Sequence, residues 1–122
     1  MTVAFWCILA AALLPYVAFA KVSGLEQRTP RIAATALEGL SARANGAHLN
    51  AFEAFAPFAA AVIVSHIVEG ASGTVDALAI AFIVVRLAHM AFYLLDRPPL
   101  RSACFGIGFL LVIAIFVQTA FH

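Results

Sequence analysis

Four apolar stretches, each about as long as a membrane span, constrain this 122-residue chain more than any other feature. They cover about residues 2–20, 47–68, 75–95 and 102–121. An α-helix rises 1.5 Å per residue, so about twenty residues cross a hydrocarbon core of about 30 Å. Inside lipid no water satisfies the backbone, so each stretch must be helical. At 65% apolar and 11% charged residues, the chain has too little polar surface to cover a soluble domain of this length. The expectation is an all-α integral membrane four-helix bundle, a single domain over residues 1–122. Its solvent and first partner is the lipid bilayer. A formal charge of +1, with no basic run and no basic–aromatic alternation, argues for no nucleic acid partner. Cys7 and Cys104 lie in apolar segments near opposite faces, so an intrachain disulfide is not expected, and no Cys/His spacing suits a metal site.

The connections set the topology. Residues 21–42 carry Lys21, Glu26, Arg28, Arg31 and Glu38 among Ser, Gly, Thr and Pro30. Their second half places Ile32, Leu37 and Leu40 at near-helical spacing, which predicts a helix that starts outside the lipid and runs on into the second span. Ala18-Phe19-Ala20 resembles a signal-peptidase site, but no Lys or Arg precedes the apolar run, and no cleavage is expected. Residues 70–73 read as a tight turn, with Thr74 and Asp76 capping the third span. The paired prolines in Asp96–Arg101 interrupt the helices between the third and fourth spans. Lys21, Arg28, Arg31 and Arg43 border the first connection, and Arg97 and Arg101 the third. By the positive-inside rule, residues 21–42 and 96–101 are cytoplasmic and both termini face the opposite side. The Ala-rich spans suit a bacterial inner membrane.

Two polar rows then stand out. Arg43, Asn50, Glu53 and Pro57 are seven, three and four residues apart, which places them on one face of the second helix. A carboxylate inside such a helix is costly, about 2.5–3.5 kcal/mol on insertion scales, and calls for a partner. The third span carries Arg86, His89 and Tyr93, three and four apart, at the same cytoplasmic depth. If the rows meet, Glu53 beside Arg86 lets each charge offset the other. Arg101 and Ser102 sit just beyond. Together these residues describe a net cationic pocket open to the cytoplasm, suited to an anionic or zwitterionic small molecule.

Each residue also has a plainer reading. Asn50 and Glu53 can serve as interhelical packing hydrogen bonds, and Arg43, Arg97 and Arg101 can snorkel to phosphate head groups. Tyr93 suits an interfacial belt, and a lone histidine such as His89 is more often structural than a ligand. His48, His66 and His122 are read as structural or interfacial. The functional reading rests on the coincidence of two rows on two helices at one depth.

These residues also carry a resemblance. The run RANGAHLNAFEAFAPF, residues 43–58, resembles the signature of the MAPEG family, membrane-associated proteins in eicosanoid and glutathione metabolism. The run RLAHMAFYLLDRPPLRS, residues 86–102, is similar to the matching region of the family's prostaglandin E synthase branch. The resemblance covers essentially the whole chain. It implies a homotrimer with glutathione between subunits in the cytoplasmic half, as thiol co-substrate. On the matching positions Asn50, Glu53, Arg86, His89 and Tyr93 would hold the tripeptide, and Arg101 with Ser102 would act on its sulfur. The second substrate would be a lipophilic electrophile or hydroperoxide arriving from the bilayer. The chain departs from the pattern at Gly46, where eukaryotic members carry an arginine, and offers only Lys21 where they use one late in the first span. Arg43, one turn from Gly46, is the candidate to compensate.

Two functions follow. One is a glutathione-dependent transferase or peroxidase in which Arg101 stabilises the thiolate. The other is a non-catalytic member that binds a lipid or anionic metabolite, or modulates a partner; Gly46 favours it. A small four-span multidrug efflux subunit has a similar length, but its essential glutamate sits in the first span, which here has no acid.

Overall fold

In a computed structural model, residues 1–121 are described, so His122 lies outside the description that follows. The chain forms α1 (Val3–Phe19), α2 (Pro30–Ala33) running into a 3₁₀ turn (Ala34–Ala36), α3 (Gly39–Val68), α4 (Gly73–Leu94) and α5 (Pro98–Ala120). Among the described residues there is no strand. The protein is an all-helical membrane bundle. Helices α3, α4 and α5 are long and apolar enough to cross a membrane, and α1 is a shorter apolar helix of 17 residues. α3 and α4 pack on each other; α1 lies along both on one flank and α5 along both on the other.

The core forms where the helices cross. The rings of Phe58 on α3 and Phe82 on α4 stack with centroids 4.0 Å apart and planes 7° apart, and both are buried. Around them Ala4, Cys7 and Ala11 of α1 meet Ala61 and Val62 of α3 and Ala79 of α4. Small residues on facing helices bring the backbones close, which is how helices hold together where lipid supplies no hydrophobic drive. On the outside, Leu9, Leu13, Val84, Phe109, Leu110 and Val117 are exposed, as a surface that meets acyl chains requires.

The ends of the helices have specific causes. Ser72 caps α4 by accepting from the Val75 N–H at 3.4 Å. Asp76, expected to help cap its own helix, lies in the first turn of α4 but also accepts from the Ala4 N–H at 2.7 Å, so it caps α1 across the bundle. Gly70 ends α3 with φ +79°, a left-handed conformation suited to glycine. Asp96, at φ 56°, turns the chain between α4 and α5, and Pro98 opens α5 where its missing N–H is not needed.

The helix expected to run from the first connection into α3 is interrupted. Leu37 and Glu38 are extended (ψ 146° and 163°), and Gly39 has φ +58°. Apolar spacing alone does not continue a helix through a glycine that the chain uses as a left-handed joint. Ser41 then anchors the connection, accepting from the Ser23 N–H at 3.1 Å and meeting its hydroxyl at 3.0 Å.

Candidate functional site

The two polar rows converge. The α3 row and the α4 row face each other, and α5 closes the third side with Arg101, Ser102 and Phe105. A cavity of about 250 Å³ is lined by Asn50, His89, Tyr93, Arg101, Ser102 and Phe105. A second, of about 220 Å³, adjoins it through the shared Phe105; Glu53, Pro57, Arg86 and Gly108 are among its walls. The first is mostly polar and the second mostly apolar, so together they join a charged chamber to a greasy one.

Arg86 sits between them. Its side chain is buried, 4% exposed, and its Nη2 donates to Asn50 Oδ1 at 2.6 Å. Asn50, one turn from the expected Glu53, is the hydrogen-bond partner, while Glu53 shares the apolar cavity with Arg86 and acts on its charge through space. Glu53 instead lies exposed on the bundle surface while lining the apolar cavity. α5 passes this point at Gly108, where a Cβ would make ordinary contact with Arg86 Cδ at 3.7 Å.

Tyr93 joins the other groups. The Arg101 guanidinium lies over its ring at 4.5 Å from the centroid, a cation–π contact, and His89 meets it edge-on at 5.8 Å. His89 is 2% exposed, and its Nδ1 is buried without a hydrogen-bond partner among the described residues. His89 also lines the polar cavity, and a buried nitrogen without a partner calls for one. The remaining α3 candidate, Arg43, points elsewhere: its Nε donates to the Leu94 carbonyl at 3.2 Å, at the end of α4, and it lines neither cavity.

Sequence spacing missed Phe105 and the contact at Gly46. Phe105 falls one turn after Arg101 on α5, so the i, i+4 rule could have found it. The Gly46 contact had no sequence signal. A Cβ on Gly46 would lie 2.6 Å from Cζ and 2.9 Å from Cε1 of Tyr93.

A larger cavity, about 570 Å³, lies where the end of α1 and the first connection meet α3, with Arg31, Asn45, His48 and Phe52 in its wall. His48 Nδ1 donates to the Pro15 carbonyl at 2.7 Å, tying α1 to α3 there. A carbonyl only accepts, which places the proton on Nδ1.

A bundle of membrane-competent helices around a cationic, partly apolar chamber defines a class: a helical membrane protein with a polar cavity set among its apolar helices. The chain belongs to the MAPEG family, whose family model matches residues 3–121, and so to a group of membrane proteins of glutathione and eicosanoid metabolism. Members of the family generally use glutathione. No curated protein and no solved structure matches the chain.

Proposed function

We propose that this protein is a membrane-embedded glutathione-dependent transferase or peroxidase acting on lipophilic electrophiles or hydroperoxides. The observation that carries the reading is the polar cavity itself: it gathers Asn50, His89, Tyr93, Arg101 and Ser102 from three helices. The groups suit the tripeptide. Guanidinium groups bind carboxylates through charge-assisted hydrogen bonds, and Asn50, the Tyr93 hydroxyl and the open His89 nitrogen offer neutral partners. A thiol of pKa about 8.5 becomes a competent nucleophile when a cation and a hydroxyl stabilise its thiolate, the role assigned to Arg101 and Ser102. The adjoining apolar cavity gives a lipophilic co-substrate a place beside the sulfur.

The same reading makes α1 the fourth span, with residues 21–42 and 96–101 on the cytoplasmic side of a bacterial inner membrane. It also makes the protein a homotrimer. Glu53 supports this: it is exposed in the single chain, in the middle of an apolar helix, beside a cavity open to the surface. A second copy would cover that carboxylate, which lipid cannot. Native mass spectrometry from detergent tests the assembly, and a monomer would overturn it. Arg43 would support the site from the end of α4 rather than hold the ligand.

The deciding experiment is calorimetric titration of glutathione into the detergent-purified protein, followed by turnover with an activated aryl halide and with cumene hydroperoxide. Saturable binding with turnover supports the enzyme. Binding without turnover supports the non-catalytic reading, and no binding at several millimolar removes glutathione from both.

A further inference from the structure

Tyr93 is held on three sides. Its ring lies under the Arg101 guanidinium of α5, meets His89 of its own helix edge-on, and presses its phenol end onto the α3 backbone at Gly46. The last contact is possible only because residue 46 has no side chain. A Cβ there would fall within van der Waals distance of the Tyr93 hydroxyl, Cζ and Cε1 together. Its neighbours Ala47 and Ala51 are also small and pack, with Met90, in the same buried cluster as Tyr93. Gly46 itself sits inside α3, where glycine weakens a helix relative to alanine. The chain therefore keeps a helix-weakening residue at the one point where the phenol needs room.

We propose that Gly46 is a positioning residue: it forms the seat of the Tyr93 phenol, and the seated ring holds Arg101 over the polar cavity. The proposal rests on the thiol-binding reading of that cavity and adds a determinant of its shape. With any larger residue at 46 something must shift, and the atoms met all belong to the Tyr93 side chain, so the tyrosine ring moves. Tyr93 and Arg101 both line the cavity, so a displaced ring narrows it or carries the guanidinium away from the sulfur position. The clash begins at the Cβ, so it is independent of what the side chain carries beyond. Gly46→Arg, which adds a cation near a site for an anionic tripeptide, therefore weakens glutathione binding, although electrostatics alone predicts a gain.

The test uses the full-length protein in detergent and glutathione as the probe. Glutathione affinity and the pH at which the bound thiol ionises, read from thiolate absorbance, are measured for the native protein, Gly46→Ala, Gly46→Arg, Tyr93→Leu and Gly46→Ala/Tyr93→Leu. Gly46→Ala and Gly46→Arg are expected to weaken binding about tenfold, the size of one charge-assisted hydrogen bond, and to raise the ionisation pH of the bound thiol. Thermal stability of Gly46→Ala should be retained, because alanine favours the helix. In the Tyr93→Leu background, Gly46→Ala should add no further loss. Native affinity in Gly46→Ala, or equal losses in both backgrounds, would overturn the proposal.

A ligand-free readout separates this idea from the function it rests on. Fluorotyrosine at position 93, followed by fluorine NMR, should shift on Gly46→Ala if the seat exists; an unchanged resonance overturns the seat. If the native protein binds no glutathione but the resonance shifts, the thiol reading fails and the seat of Tyr93 stands.

Discussion

The two ends of this bundle treat polar groups in opposite ways. At the end near the helix connection of residues 69–72, polar side chains bond to one another. Glu69 accepts from the Ser65 hydroxyl at 2.8 Å and from Gln118 Nε2 at 2.9 Å, joining α3 to α5. His66 Nδ1 donates to the Val62 carbonyl at 2.8 Å, which leaves Nε2 to accept from the Thr2 hydroxyl at 2.7 Å. Asp76 caps α1. At the other end, Arg86 donates to Asn50, Arg101 rests on an aromatic face, and His89 Nδ1 is buried without a partner among the described residues. One end is knotted by bonds between its own side chains, although Gln118 Oε1 is buried there without a partner among the described residues, and the other is gathered around a cavity. In a membrane protein polar residues are too costly to carry without use, so a network of side chains bonded to one another reads as a staple and one arranged around a cavity as a candidate site.

Arg101→Ala is the largest expected effect and the sharpest cut between the ends. If Arg101 stabilises a thiolate, its removal should lower turnover about 10²–10³-fold, as loss of one preorganised donor does. The bundle should stay intact, because Arg101 is half-buried and contacts a ring rather than a core group. Single-turnover kinetics with an activated aryl halide, alongside circular dichroism, measure both; near-native turnover would sink the role.

Asn50→Leu comes next and should blur the comparison, since Asn50 serves both fold and site. It removes the acceptor of a buried guanidinium, which should cost about 1.5–3 kcal/mol of stability, and it removes a cavity wall. Both the unfolding midpoint in detergent and glutathione affinity should fall. A drop in one without the other would separate the roles that the 2.6 Å contact joins.

Those two residues also mark how far the sequence could be read. Helical spacing placed Asn50 and Arg86 on facing rows because a period of 3.6 residues fixes direction around a helix well. It did not show that Asn50, rather than the expected Glu53, bonds to Arg86, because that depends on how two helices slide along each other, which spacing does not encode. The break at Leu37–Gly39 was missed for a related reason: the apolar residues there keep helical spacing while the backbone does not. The seat at Gly46 was invisible because a glycine on a polar row reads as a missing group, and only the tertiary packing reveals that Tyr93 occupies the space. Asp76 looked like a local cap and proved also to cap α1, a contact between residues 72 positions apart.

Glu69→Gln tests the knotted end. The amide keeps an acceptor but loses the charge that strengthens its bonds to Ser65 and Gln118, so a loss of about 1 kcal/mol is expected, seen as a fall of several degrees in the unfolding midpoint. Glutathione affinity should not change. A loss of affinity would mean that the two ends are coupled through α3, and the contrast between staple and site would fail.

Arg43→Gln is the smallest expected effect and the finest test of where the site stops. The resemblance offers Arg43 as the residue that compensates for Gly46, whereas its Nε donates to the Leu94 carbonyl at 3.2 Å and closes the end of α4. A guanidinium at a helix C-terminus satisfies an orphan carbonyl and complements the helix dipole, a contribution of about 0.5–1 kcal/mol. Glutamine also donates a hydrogen bond but lacks the charge, so stability should fall by less than that and glutathione affinity should stay within about twofold, well under the tenfold that loss of a charge-assisted contact brings. A tenfold loss of affinity would place Arg43 on the ligand and extend the open end of the bundle by one helical turn.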